Sequence, residues 1–240
     1  MRVLFLDIET SPNLAHVWGL FNQNVSLNQL RESSYTLCFA AKWRGEKKVM
    51  FYRSDDMIEQ AWRLLDEADV VTHYYGKHFD IPTLNKEFVV RGYRPPSPYK
   101  QVDLCAVVKK CFRFPSNKLA YVSEALGLDG KVKHEGHELW VKVMAGDAKA
   151  WKEMETYNKR DVTLLEELEA VLLPWISNYP SSRLYDGTIT TCPTCMIGSL
   201  QRRGFAYTAT GKYQRYVCLD CGSWTRDTKR IEGVDLVGVV

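Results

Sequence analysis

The chain has 240 residues, room for one full domain and a smaller one. Hydrophobic residues make up 45% and aromatics 12%, which excludes a disordered chain. A formal net charge of +3 excludes a strong polycation, and no apolar run approaches the ~20 residues of a membrane span. The charge is uneven. Residues 183–240 hold eight Lys/Arg against five Asp/Glu, and the other 24 of each sign cancel in residues 1–182. The chain opens on a strand pattern rather than a leader peptide, and four of its seven cysteines fall in C-x-x-C pairs. Both features predict a reducing, cytoplasmic setting in which metal ligation outcompetes disulfides.

Taken in chain order, residues 2–9 alternate as a strand. Val3, Phe5, Asp7 and Glu9 face one way and Leu4, Leu6 and Ile8 the other, as in a central strand buried on both faces. Residues 34–43 and 47–53 read as a hairpin around Gly45, and 55–67 as a helix. Residues 69–72 form a short buried strand, and 80–91 a helix. Further helices are expected at 104–112, at 116–126 with Ser116 as N-cap, and at 147–173 with a break near 158. Residues 131–140 read as a solvated or substrate-side loop carrying His134 and His137. Pro174 to Pro180 ends the last helix and 181–190 reads as a linker. The order predicts an α/β domain with a mixed sheet over 1–180 and a second module over 186–240. Cys38, Cys105 and Cys111 read as small buried hydrophobes.

Four acids and one tyrosine stand out. Asp7 and Glu9, two apart on a strand, share one side, where they repel unless a cation lies between them. Asp80 follows a strand and loop at a helix start, where a helix N-cap explains it equally well. Tyr157 and Asp161, four apart, share a helix face. An Asp103 at a strand end reads as a helix cap.

Two C-x-x-C pairs, Cys192/Cys195 and Cys218/Cys221, make a four-thiolate set suited to one structural Zn²⁺. Around them Arg202, Arg203 and Arg215 alternate with aromatics such as Trp224. Basic residues mixed with aromatics suit single-stranded nucleic acid, although a small ribbon using its rings as core, or docking to protein, fits the same pattern. Four thiolates and Zn²⁺ together contribute −2, so the loaded module would be near +1 and any basic patch must be local.

In combination, D-x-E at 7–9, H-x-x-x-x-F-D ending at Asp80 and Y-x-x-x-D at 157–161 resemble the DEDDy branch of the DnaQ-like 3′–5′ exonucleases. That group belongs to the ribonuclease H-like superfamily, and the resemblance spans residues 1 to about 175. Tyr74 stands where the family usually has Asn. Thr156 stands where the sister branch has its His, which favours the Tyr branch. With a C-terminal zinc ribbon, the layout also resembles nucleases encoded by bacteriophages. The resemblance implies a ribonuclease H-like mixed sheet flanked by helices and two catalytic Mg²⁺ (or Mn²⁺) ions. It implies that Asp7 bridges both ions, that Glu9 and Asp161 complete the water-activating site, and that Asp80 acts largely through water. Tyr157 is expected to orient the attacking water. His73, Tyr74 and Lys77 are candidates to touch substrate. DNA is expected ahead of RNA, with a replication or repair protein as a partner in trans. A structure-specific endonuclease, an RNA-trimming nuclease, or a non-catalytic nucleic-acid-binding assembly protein would share the fold.

Overall fold

The computed structural model describes residues 1–128, 135–177, 179–186 and 191–236. The chain divides into two compact units, Arg2–Leu168 and Glu169–Val240 with Met1.

The first unit is built on a five-stranded mixed sheet. Its strands are β1 (Val3–Thr10), β4 (Thr36–Trp43), β5 (Met50–Tyr52), β6 (Val70–His73) and β7 (Lys100–Asp103), in the order β5-β4-β1-β6-β7. The β1–β4 and β4–β5 pairs are antiparallel, while β6 runs parallel to both β1 and β7. β1 is therefore central, and its alternation is used on both faces. Leu4, Leu6 and Ile8 pack against Ile58, Ala61, Leu64 and Leu65 of α1 (Met57–Glu67) and Ile81, Leu84 and Phe88 of α2 (Asp80–Val90). Fully burying one such Leu or Ile contributes about 1.5–3 kcal/mol, so this layer fixes the strand's register. The remaining helices of this unit are α3 (Leu104–Cys111), α4 (Leu119–Ala125), α5 (His137–Met144) and α6 (Ala148–Leu172). A separate apolar cluster joins Leu37 and Cys38 of β4 to Leu139 and Val143 of α5 and Ala150, Met154 and Tyr157 of α6.

Several sequence expectations are corrected here. The strand that ends at Asp103 is β7, and the small pair β2 (Leu14–Ala15) and β3 (Leu30–Glu32) has no counterpart among the sequence expectations. Residues 137–140 are the start of α5 rather than loop. Leu139 is buried and Trp140 packs edge-on against Tyr157 with centroids 6.1 Å apart, so core contacts hold this helix. His134 lies outside the described residues. Ser116 does not cap α4, which begins at Leu119; its hydroxyl accepts the Lys118 N–H instead. α6 continues through residue 158 without a break, and the buried Asn158 spends its amide on Asp7 rather than on the helix backbone.

The second unit contains α7 (Arg183–Asp186), inside the stretch read as linker, and an antiparallel sheet. Its strands are β8 (Leu200–Tyr207), β9 (Gly211–Cys218), β10 (Trp224–Arg226) and β11 (Glu232–Gly233). β9 pairs β8 along one edge and β10 and β11 along the other.

Candidate active site and metal centre

Asp7 and Glu9 lie beyond the end of the parallel ladder that β1 makes with β6, which runs only from Val3/Val70 to Phe5/Thr72. Their side of β1 meets α6. The Asn158 amide, wholly buried, donates to the Asp7 main-chain oxygen (3.2 Å) and to its carboxylate Oδ2 (2.7 Å). A charged acceptor strengthens the second bond and orients the carboxylate. Asn158 was not singled out in the sequence. The signal available was its place on the helix between Tyr157 and Asp161.

Tyr157 is where the acids meet. Burial raises its pKa, and then Asp161, Glu9 and Asp7 add to the rise in that order. Asp161 also takes part in a hydrogen bond with it. Burial and the neighbouring carboxylates thus favour the protonated phenol. Asp161 itself is almost completely buried.

Asp80 is placed differently from a helix cap. It is the first residue of α2, and its carboxylate reaches across to accept the Ile8 N–H at 3.1 Å, between Asp7 and Glu9. Burial pushes its pKa up to about 7, against the lowering effect of that N–H. The Asp103 carboxylate adds a smaller upward push. Burying several carboxyl groups near one another is costly unless a cation offsets their repulsion. The Asn158 Oδ1 is also buried without a hydrogen-bond partner among the described residues. This all-oxygen donor set fits a hard, hydrated divalent ion. The acids are more widely spaced than a closed ligand shell. Among the described residues, only the cysteines form a set of three or more His, Cys, Asp or Glu ligands all within 4.8 Å.

The loop from His73 to Asp80 is pinned from below. Asp103 caps α3 by accepting the Ala106 N–H (3.2 Å), as expected, and also accepts the Tyr75 N–H (3.0 Å). Tyr75 is held at φ 67, a left-handed conformation uncommon for a bulky residue. Gly76 is required here, since a Cβ would come within 2.5 Å of the His73 ring. His73 corrects one expectation. It is fully buried, its Nε2 faces Gln101 Oε1 at 3.2 Å, and burial lowers its pKa, so it supports the loop and cannot reach a nucleotide. Tyr74 is half-buried and its hydroxyl donates to the Asn117 carbonyl (2.6 Å), while Lys77 is exposed.

In the second unit the four cysteine sulfurs converge. Cys192 and Cys221 lie 3.8 Å apart and Cys195 and Cys218 3.7 Å apart. A tetrahedron with metal–sulfur bonds of about 2.3 Å has edges of roughly 3.8 Å, so the set fits one thiophilic ion. Gly198 closes over it: a Cβ there would lie 2.1 Å from the Cys218 sulfur and 3.0 Å from that of Cys195. Nearby, the aromatics are not an interior. Phe205, Tyr207 and Trp224 are exposed. The Arg215 guanidinium sits 4.6 Å over Trp224, Arg226 4.0 Å over Tyr213, and Lys212 4.6 Å over Phe205. Arg215 also donates to the Arg203 carbonyl (3.1 Å), and the Arg202 and Arg203 side chains are exposed.

Comparison with known families matches residues 4–173 to the RNase_H superfamily, and the chain belongs to that superfamily. Among 104 matching solved chains is the family B DNA polymerase from the hyperthermophilic archaeon Pyrobaculum calidifontis. It is 20% identical with a TM-score of 0.54, over 72% of this chain and 24% of that one. This chain thus spans about a quarter of the polymerase, and the likeness is one of fold. No curated protein matches the sequence. Among the described residues, no helix is long and apolar enough to cross a membrane.

Proposed function

We propose that this protein is a metal-dependent 3′–5′ exonuclease of the DEDDy type, acting on single-stranded DNA ahead of RNA. Membership of the RNase_H superfamily supports nucleic-acid cleavage in general. The observation that carries the finer reading is the convergence of Asp161, Glu9 and Asp7 on one buried tyrosine. A binding module would gain nothing from clustered negative charge where phosphates must approach.

In this reading Asp7, Glu9 and Asp161 hold two Mg²⁺ or Mn²⁺ ions, with Asp80 contributing through water. Such ions, when bound, generate the nucleophilic hydroxide and stabilise the leaving 3′-oxygen. The protein's own part is positional. Asn158 fixes the Asp7 carboxylate, Asp80 tethers β1 between Asp7 and Glu9 through the Ile8 N–H, and Tyr157 orients the attacking water through its hydroxyl oxygen. The four cysteines hold one Zn²⁺ in a structural ribbon over 186–240, appended to a catalytic domain over 1–180.

The deciding experiment incubates end-labelled DNA and RNA oligomers with the protein in Mg²⁺. Mononucleotides released from a 3′ label are the expected product. Internal fragments would make the enzyme an endonuclease. Intact oligomers that bind would sink the catalytic reading.

A further inference from the structure

Between β1 and β4 the chain makes an excursion that the proposed chemistry leaves unexplained. Its feet stand at the acid end of β1. Thr10 pairs with Thr36, and Glu9 with Cys38, so the loop leaves and re-enters the sheet directly beside the candidate site. Ser11 N–H donates to the Tyr35 carbonyl (2.9 Å) and Tyr35 N–H to the Ser11 hydroxyl (3.0 Å). Above these feet β2 and β3 pair through Leu14/Glu32 and Ala15/Leu30. The neck is closed by His16 N–H to the Gln29 carbonyl and by Gln29 Nε2 to the His16 carbonyl, both 2.9 Å.

The loop is inverted relative to an ordinary surface loop. Its two glutamines serve its own backbone. Gln29 Oε1 accepts the Ser26 N–H (3.0 Å), and Gln23 Nε2 donates to the Phe21 carbonyl (3.1 Å). Its apolar side chains point out instead. Trp18 is 98% exposed, Leu27 87% and Phe21 84%. A tied loop that holds large rings in water is arranged for something else to cover them.

Its charge says what kind of surface that is. From Thr10 to Arg31 there is no Asp or Glu, although the chain carries 29 among 240 residues. Two flat rings, no negative charge, and amides at Asn22, Asn24 and Asn28 suit nucleobases that follow a phosphate backbone. Resting on the proposed function, we infer that residues 14–32 form a base-stacking arm. Trp18 and Phe21 stack on bases of the single strand whose end enters the carboxylate site.

The test uses the full chain in buffer free of Mg²⁺ and Mn²⁺ but without a chelator, so that no cleavage intervenes and the four cysteines keep their ion, and reads fluorescence anisotropy of a labelled oligothymidylate of about 12 nucleotides. Trp18→Leu/Phe21→Leu keeps the surface apolar but removes the rings. Its affinity is expected to fall about 30-fold or more. Trp18→Tyr/Phe21→Tyr should restore most of the loss. The salt slope should not change, since no phosphate contact is removed. Leucine variants that bind like the wild type overturn the inference. So does a wild-type dimer that Trp18→Ala/Phe21→Ala converts to monomer at unchanged oligonucleotide affinity, which would make the loop a self-association surface. Failure of hydrolysis in Mg²⁺ by the wild type would strike the catalytic reading alone, because binding is measured apart from it.

Discussion

The four thiols and the four carboxylates are built on opposite plans. The thiols come from two short turns, converge within 4.8 Å, and are sealed by a glycine where no side chain fits. The carboxylates come from a strand and two helices, with Asp7 bonded to the Asn158 amide and Asp80 to the Ile8 N–H. A closed tetrahedral set holds its ion permanently and makes it part of the fold. An open oxygen set, with like charges kept apart, suits ions that arrive hydrated and share ligands with a phosphate. On the proposed function, the same ligand count would serve structure in one unit and chemistry in the other.

The contrast can be broken most sharply at the thiols. Cys218→Ser, or a strong chelator, should remove a binding free energy of about 10 kcal/mol or more, exceeding the stability of so small a unit. The loss should appear as unfolding of β8–β11 by circular dichroism, with one zinc released per chain in a colorimetric assay. A second unit that stays folded without metal would refute the closed-site plan. Next in size, Asp7→Asn should lower the hydrolytic rate by on the order of 10³-fold. It should not lower Tm in Mg²⁺-free buffer that leaves the cysteine-bound ion in place, because it removes a like charge from a crowded group. A fall in both rate and Tm would mean that Asp7 is structural. Smallest is Asn158→Ala. Freeing the Asp7 carboxylate should cost about 10-fold to 100-fold in activity, as loss of an orienting hydrogen bond does elsewhere. Raising Mg²⁺ should recover part of it. Recovery marks a positioning role, whereas an unaffected rate would show that Asp7 needs no tether.

The parts legible in the sequence were those governed by one clear period. β1, β4, β6, α1 and α2 follow from alternation or helical spacing, because each buries a continuous apolar face. α5 is not legible because eight residues carry too little pattern, and tertiary contacts of Leu139, Trp140 and Val143 hold it. The loop at 14–32 is not legible for the opposite reason. Its apolar residues face solvent, so no burial pattern could describe them. Within the candidate site, Asp7 with Glu9 and Tyr157 with Asp161 were readable as local pairs. The reach of Asp80 to Ile8 and the grip of Asn158 on Asp7 were not, since both join residues far apart in the chain.

That separation has a consequence for how the molecule comes into being. Asn158 grips a residue 151 positions earlier, and Tyr157 and Asp161 flank it on the same helix. The first strand leaves the ribosome with its acids, yet it waits for almost the whole first unit to be synthesised before α6 can dock on it. Contacts of such sequence separation form late, after the local helices. The nascent chain therefore carries Asp7 and Glu9 well before it carries Tyr157, Asn158 and Asp161. On the proposed function, catalytic competence would wait for the helix from Ala148 to Leu172 to close over β1.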